Sequence, residues 1–226
     1  MKRLAALIAL IAAPAFAQSP QCDIELVLAL DVSRSVSTEE YNLQKWGLAD
    51  AFRHPEVQEA VQFLPGGVMA TVMIWGDARQ QKQTTPWTEL KTPGDLTAFA
   101  AEIDETRRAF GFTLTGLGAA MVYADRLTET NPKRCRRRVI DISGDGVWNN
   151  GPRPSEVWAT EISPDVTING LVILGATPNP LPHYQNEVIG GPMAFVETAN
   201  DFDDYPRAIL RKLLRELAPS VSRLDP

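Results

Sequence analysis

Long apolar runs recur along this sequence of 226 residues, and they constrain its fold more than any other feature. The clearest runs are residues 24–30, Val68–Trp75 and residues 168–174, and residues 139–143 form a shorter one. A strand that is buried on both faces has a continuous apolar run, whereas a half-exposed strand alternates apolar and polar residues. We therefore predict four buried strands of the kind that form a parallel sheet.

Helical patterns separate these predicted strands. The first begins near Thr38, with Ser37 or Thr38 as its cap and acidic residues in its first turn. Four further helices are predicted: one begins at Pro93, one lies in the second part of residues 111–127, one spans residues 154–162, and one spans Tyr205–Leu217. Two short strands are predicted over residues 84–89 and 193–197. Strands that alternate with helices form right-handed βαβ units. We therefore predict an α/β fold with a doubly wound, mostly parallel central sheet that carries helices on both faces.

The first 17 residues have the layout of a bacterial Sec-type signal peptide. A basic start at Lys2 and Arg3 precedes an apolar run over residues 4–13, and residues 15–17 (Ala-Phe-Ala) form a small-x-small cleavage site. The alternative is a membrane anchor, but the run is too short to span a bilayer. We predict that residues 1–17 are removed, that residues 18–226 form one domain, and that the protein is periplasmic or secreted.

Composition and charge exclude several classes of function. The formal charge is −6, and removal of Lys2 and Arg3 with the signal peptide makes it −8. This net negative charge argues against a nucleic-acid partner, because binding a nucleic acid would require a basic face. Two His and two Cys are too few for a zinc finger, a haem attachment site or a Cys-rich scaffold. After the signal peptide, no apolar run is long enough for a membrane span.

Three loops next to the predicted strands are rich in oxygen ligands. Asp31, Ser33 and Ser35 follow the first strand, residues 111–116 (Gly-Phe-Thr-Leu-Thr-Gly) precede a helix, and residues 143–146 (Ser-Gly-Asp-Gly) follow the fourth strand. Doubly wound folds bind their ligands at the carboxyl ends of the strands. Carboxylates and hydroxyls without His or Cys suit Mg²⁺ or Mn²⁺ better than zinc or copper. The pattern therefore predicts a divalent-cation site.

Taken together, the three loops resemble the metal-ion-dependent adhesion site of the von Willebrand factor type A domain. The resemblance covers residues 22–218, and it implies the fold predicted above with Mg²⁺, Mn²⁺ or Ca²⁺ as the cation. It also implies that Ser33 and Ser35 bind the cation directly, that Thr113 binds it directly or through water, and that Asp31 and Asp145 supply charge. One coordination position is then left for water or for an acidic residue of a partner protein.

The resemblance extends to one branch of this family. Residues 143–150, 168–171 and 188–192 resemble an exported bacterial branch whose task is not established. This likeness implies a fold and a site but no partner.

Some positions leave alternatives open. Arg34 stands where many family members have Gly, so it either weakens the site or contacts the partner. Thr115 is an alternative ligand to Thr113, whose spacing after Gly111 matches the family loop. Trp148 is equally suited to contact a partner and to cover the core.

An ordinary structural role is the other interpretation of the ligand residues. Asp31 and Ser33 can cap the helix that follows them, and Asp145 between two glycines can form a tight turn. The coincidence of three such loops at one sheet edge favours the metal site.

The two cysteines fit the same resemblance. Cys22 lies nine residues before Asp31, and Cys135 lies ten residues before Asp145. In the family the first and fourth strands are neighbours, which places both cysteines near the opposite edge of the sheet, within reach of a disulfide. An exported protein is oxidised, so we expect a Cys22–Cys135 bridge, with two free thiols as the alternative.

Other polar residues are predicted to be structural. Asp141 lies inside a strand and is expected to form a hydrogen bond. His183 lies in a Pro-rich loop with no sign of a catalytic triad. A basic cluster is expected to form a solvated turn, with an anionic contact as the alternative, and it consists of Lys133, Arg134, Arg136, Arg137 and Arg138.

The sequence therefore supports a non-enzymatic, cation-dependent interaction module. Its partner would be a protein that offers an acidic residue to the metal. The alternative is a Mg²⁺-dependent hydrolase or phosphatase-like enzyme at the same site, although the sequence has no evident second metal cluster, His base or nucleophile. A nucleotide-binding fold would require a Gly-x-Gly-x-x-Gly or P-loop motif, which is lacking.

Overall fold

The computed structural model describes residues 19–111 and 113–218. The predicted signal peptide, residues 1–17, lies outside the described residues. Seven strands form one sheet: β1 (Cys22–Asp31), β2 (Val68–Trp75), β3 (Gln81–Gln83), β4 (Thr88–Leu90), β5 (Cys135–Gly144), β6 (Val166–Ile173) and β7 (Val196–Ala199).

Helices occupy most of the connections. They are α1 (Thr38–Arg53), α2 (Pro55–Gln62), α3 (Pro93–Glu105), α4 (Leu117–Thr128), α5 (Pro154–Thr160), the single turn α6 (Leu181–His183), a π-helix (Tyr184–Val188) and α7 (Tyr205–Leu217). Ser37 caps α1 by accepting from the backbone N–H of Glu40, and Thr92 caps α3 in the same way through Asp95. None of the described helices is long and apolar enough to cross a membrane.

The sheet is mostly parallel, as predicted. Its order is β3-β2-β1-β5-β6-β7. Strand β3 pairs with residues 73–75 of β2, and β4 pairs with residues 68–70 at the other end of β2. The pairs among β2, β1, β5, β6 and β7 are parallel, whereas β3 and β4 run antiparallel to β2. The fold is therefore the predicted α/β sandwich with a doubly wound central sheet.

Both faces of the sheet are covered, which explains the apolar runs. In β1, Leu26 and Leu28 pack in the core under α1, α3 and α7, while Val27 and Ala29 pack in the core under α4. All four side chains are buried. Because both faces of such a strand are buried, its sequence is continuously apolar instead of alternating between apolar and polar residues.

A disulfide joins the two central strands at the edge away from the candidate metal loops. Cys22 and Cys135 are register partners in β1 and β5, and their Cα atoms lie 4.4 Å apart. The expected cysteine pairing is confirmed.

Several element boundaries differ from the predicted ones. Residues 84–87, predicted to be part of an edge strand, connect β3 to β4, and the second edge strand begins at Val196 instead of at residue 193. Strand β5 starts at Cys135, four residues before the predicted start. Helix α5 ends at Thr160, two residues before the predicted end.

Candidate functional site

The two candidate carboxylates follow neighbouring strands at one edge of the sheet. Asp31 is the last residue of β1, and Asp145 follows the last residue of β5. The register pairs Leu30 with Ser143, so both loops leave the sheet at the same level. The parallel pairing therefore brings Asp31 and Asp145 together, as parallel strand ends do in folds of this class.

Hydrogen bonds connect the first loop to the third. The Ser35 hydroxyl donates to Oδ1 of Asp145 at 2.7 Å, and the Ser33 and Ser35 hydroxyl oxygens lie 3.2 Å apart. The backbone N–H of Ser33 donates to Oδ1 of Asp31 at 2.6 Å. Four of the five predicted metal ligands thus form one connected cluster of oxygen atoms.

Asp31 has a buried oxygen atom without a partner. Its side chain is completely buried, and Oδ2 has no hydrogen-bond partner among the described residues. Gly144 lies directly beside this atom, since a Cβ at residue 144 would come within 2.8 Å of it. A carboxylate oxygen that is both buried and unpartnered is costly unless a proton or a cation compensates it.

The electrostatics of the site are unfavourable for two bare carboxylates. Burial is the main cause that raises the pKa of Asp31 well above its ordinary value, and the nearby charge of Asp145 adds to it. Burial also raises the pKa of Asp145, although the hydrogen bond from Ser35 opposes that shift. Neither carboxylate forms an ion pair with Lys, Arg or His within residues 19–111 and 113–218.

The two threonines of the second loop contact different loops. The Thr113 hydroxyl lies 3.4 Å from the carbonyl oxygen of Val32 in the first loop. Thr115 instead contacts the third loop, where its backbone N–H donates to the side chain of Asn149 at 2.9 Å. Both threonines are buried. The structure thus places Thr113 beside the first candidate ligand loop, and it gives Thr115 a role in joining the second loop to the third.

Arg34 lies on the exposed side of the first loop. Its backbone N–H donates to the carbonyl oxygen of Thr113 at 3.0 Å, which joins the first and second loops through the main chain. Its side chain is exposed to solvent.

The sequence analysis missed Arg108, which holds the first loop in place. Its guanidinium donates to the carbonyl oxygens of Val32 at 3.0 Å, Ser33 at 3.3 Å and Val36 at 2.6 Å. A further bond to the carbonyl oxygen of Phe110 fixes the guanidinium relative to its own segment. These contacts span more than seventy residues, so no local pattern could have identified Arg108.

Trp148 covers the core beside the third loop. Its ring packs against the core under α4, and its indole N–H donates to the carbonyl oxygen of Gly151 at 3.1 Å. Its backbone N–H donates to Nε2 of His183 at 3.2 Å, while Nδ1 of His183 lies 3.4 Å from Glu187. Arg153 lies over the Trp148 ring and pairs with Glu187 at 2.5 Å. His183 therefore stabilises the third loop.

Asp141 is buried, as its position in a strand indicated, and it lies next to a buried cation. Nζ of Lys212 in α7 lies 2.8 Å from Asp141 and 2.5 Å from Glu216. Two of the basic residues that follow residue 133 form ion pairs, since Arg136 lies 3.4 Å from Asp23 and Arg138 contacts Glu25 and Asp165. Both arginines lie in β5, so the prediction of a turn is wrong for them.

The cluster fits a hard divalent cation. It combines two repelling carboxylates, one of which has a buried oxygen without a partner among the described residues, with the hydroxyls of Ser33 and Ser35, and the Thr113 hydroxyl lies beside the same loop. Carboxylates and hydroxyls are ligands that Mg²⁺ and Ca²⁺ accept. Within the described ranges, no group of three or more His, Cys, Asp or Glu side chains is placed to hold a metal. A cation at this edge would therefore depend on the serine and threonine hydroxyls as much as on the carboxylates.

A family match decides where this chain belongs. Residues 21–221 match the protein family described as "Protein of unknown function (DUF1194)". The chain belongs to this family. A sequence comparison with curated proteins gives no match.

Solved structures show that the fold is that of the von Willebrand factor type A domain. Similar folds include proximal thread matrix protein 1 from the mussel byssus with a zinc-occupied MIDAS motif (TM-score 0.61, 15% identity, 88% of this chain and 47% of that chain). The von Willebrand factor type A protein from Catenulispora acidiphila has a TM-score of 0.57 at 14% identity over 87% of this chain and 42% of its own. BatB from Bacteroides thetaiotaomicron has a TM-score of 0.54 at 13% identity over 86% of this chain and 98% of its own. The chain spans about half the length of the mussel protein.

Proposed function

We propose that this protein is an exported, divalent-cation-dependent protein-interaction module. In this proposal Asp31, Ser33, Ser35, Thr113 and Asp145 hold Mg²⁺, or Mn²⁺ or Ca²⁺ in its place. The cation then binds a carboxylate of a partner protein. The module performs no catalysis of its own.

One observation carries the proposal. Oδ2 of Asp31 is buried and has no hydrogen-bond partner among residues 19–111 and 113–218, and it lies next to a second carboxylate whose charge repels it. A bound divalent cation would compensate both features at once. Such an arrangement costs stability in a purely structural loop, so it supports a binding role for the site.

The exposure of the cluster supports a partner that reaches the cation from outside. Asp31 and Ser33 are buried beneath the site, whereas Ser35 is exposed at its rim. Three of the five proposed ligands are neutral hydroxyls, so a coordination position left open at this rim suits a further anionic ligand. A partner carboxylate is the protein group that supplies this charge.

The mussel protein provides independent support for a divalent cation. Its structure has a zinc-occupied MIDAS motif on a similar fold. We therefore include Zn²⁺ with Mg²⁺, Mn²⁺ and Ca²⁺ among the ions to be tested. An oxygen-only set of ligands favours the harder ions.

Export is supported by two features. Residues 1–17 have the signal-peptide pattern, and the Cys22–Cys135 disulfide belongs to an oxidising compartment.

The first experiment measures metal binding. The midpoint of thermal unfolding is measured with chelator and with each of the four cations. Because a ligand that binds only the folded state stabilises it by about 2.7 kcal/mol at a hundredfold excess over Kd, Mg²⁺ should raise Tm by several degrees. A Tm that none of the four cations changes would contradict the metal site.

The second experiment tests carboxylate binding and catalysis. A blocked peptide with one aspartate, acetyl-Gly-Gly-Asp-Gly-Gly-amide, is titrated into the ¹⁵N-labelled protein with Mg²⁺ or with chelator. We expect the amide signals of the three loops to shift only with Mg²⁺. Chelator-sensitive turnover of p-nitrophenyl phosphate by the pure protein would instead support the hydrolase.

A further inference from the structure

A groove opens beside the candidate metal loops. It has a volume of about 330 Å³ and is lined by Arg34, Arg108, Phe110, Gly111 and residues 36–38. Its lining combines the exposed side of the first ligand loop, the start of α1 and the segment that leads into the second ligand loop.

The groove adjoins two of the three loops that contain the proposed ligands. Arg34 stands between Ser33 and Ser35, and Gly111 lies two residues before Thr113. One extended residue spans about 3.3 Å, so two or three residues of a bound peptide would reach from the cation into the groove. The groove and the cation are therefore accessible to one continuous partner segment.

The described side chains that line the groove include two guanidinium groups and no carboxylate. The guanidinium of Arg108 donates only to backbone carbonyl oxygens, and it forms no ion pair in the part of the chain that the structure describes. Arg34 adds a second guanidinium to the lining. The nearby carboxylate of Glu40 accepts the backbone N–H of Ser37 at 2.7 Å and so serves as a helix cap.

We propose that this groove binds a second carboxylate of the partner segment whose first carboxylate reaches the cation. This inference rests on the proposed function and adds the class of partner, an acidic segment with two carboxylates two or three residues apart. A guanidinium pairs with a carboxylate through charge-assisted hydrogen bonds. Positive groups beside a cation also disfavour a partner that has a basic residue at this position.

The test compares blocked peptides that differ at one position. The probes are acetyl-Gly-Asp-Gly-Gly-Xaa-Gly-amide with Xaa as Asp, Asn or Lys, and a second set has one glycine fewer between the fixed Asp and Xaa. Each peptide is titrated into the ¹⁵N-labelled full chain with Mg²⁺ at low ionic strength. In at least one of the two spacings, the Asp peptide should bind at least fivefold more tightly than the Asn peptide, and the Lys peptide more weakly than both.

Two variants test whether the difference in affinity between the Asp and Asn peptides depends on the groove. In Arg34→Gln the preference for the Asp over the Asn peptide should fall below twofold, with circular dichroism to verify that the variant folds. Arg136→Gln removes the same charge from an exposed side chain of β5, which starts at the opposite edge of the sheet, and should keep the full preference.

The outcomes separate this inference from the proposed function. Equal affinities of the Asp and Asn peptides for the wild-type protein, or a preference that Arg34→Gln leaves intact, would overturn the second carboxylate site alone. Failure of every peptide to bind in a Mg²⁺-dependent way would overturn the proposed function and this inference with it.

Discussion

The hydroxyl of Ser35 donates to Oδ1 of Asp145 at 2.7 Å, although the two residues are 110 positions apart in the sequence. This bond joins the loop after β1 to the loop after β5 at the candidate metal site. Unfolding measured with and without Mg²⁺ can separate the energy of this bond from the role of Ser35 in cation binding.

Ser35→Ala tests this bond. Loss of one hydrogen bond costs about 1 kcal/mol of unfolding free energy. Loss of a ligand hydroxyl should in addition weaken Mg²⁺ binding by about tenfold, or 1.4 kcal/mol. Urea unfolding with and without Mg²⁺ measures both effects.

The matched control is Ser37→Ala, two residues further along. Ser37 caps α1, so its loss should cost about 1 kcal/mol of stability and leave the Mg²⁺ response unchanged. An equal Mg²⁺ response in Ser35→Ala and Ser37→Ala would show that Ser35 is not a ligand.

Asp31→Asn separates structural stability from cation binding. Without metal, the substitution removes a buried charge that Asp145 repels, so the free energy of unfolding should rise by about 1–2 kcal/mol. With Mg²⁺, the variant should lose most of the stabilisation that the wild-type protein gains. Thermal unfolding in chelator and in Mg²⁺ gives both values.

The exposed Asp165→Asn is the control for this charge change and should keep the Mg²⁺ response. If Asp31→Asn were less stable than the wild-type protein in chelator, Asp31 would be a structural cap of the loop, as the alternative interpretation holds.

Arg108→Gln tests whether the first loop depends on its contacts with the guanidinium. Hydrogen bonds to a charged group contribute about 1.5–3 kcal/mol, so the variant should lose an amount in this range and bind Mg²⁺ several-fold more weakly. Denaturant unfolding and metal titration measure the two effects. The neighbouring Arg107 is exposed, and Arg107→Gln should change neither quantity by more than about 0.5 kcal/mol.

The burial of Glu25, which lies outside the candidate metal site, should make the stability of the protein depend on pH. Burial raises the pKa of Glu25 from 4.5 to about 7 in the folded protein, while Arg138 at 3.9 Å opposes the shift. A carboxyl group with a raised folded pKa stabilises the protein below pH 4.5, and this contribution is lost as the pH rises through 7. Glu25→Gln should therefore be about 1–2 kcal/mol more stable than the wild-type protein at pH 8 and nearly equal at pH 4.5.

The measurement is urea unfolding at several pH values between 4.5 and 8, with the exposed Glu102→Gln as control. A constant difference between Glu25→Gln and the wild-type protein over this range would contradict the raised pKa.

Elements with simple local patterns could be predicted from the sequence to the residue. Val68–Trp75 and Tyr205–Leu217 have the predicted bounds because an apolar run and an amphipathic face define them locally. Strand β5 is longer than predicted because residues 135–138 pair with β1, and their charged side chains do not continue the apolar run that predicted the strand. The prolines near His183 suggested a loop, whereas the structure has a short helix followed by a π-helix.

The candidate site could be predicted only in part. The candidate residues Asp31, Ser33, Ser35 and Asp145 follow strand ends, and parallel pairing brings strand ends together, so the sequence pattern was sufficient to predict that these four residues lie close together. That they bind a cation stays a prediction. The contacts of Arg108 with the first loop and of His183 with Trp148 depend on packing between distant segments. No local pattern encodes such contacts.

The disulfide has a consequence for how the protein can respond to a ligand. A covalent bond at Cys22 and Cys135 fixes the register of β1 and β5 at the end of the strands opposite to Asp31 and Asp145. The two strands therefore cannot slide past each other when a cation binds. Any change in the separation of the two carboxylates must come from local bending of the loops, and the register of the two central strands stays the same.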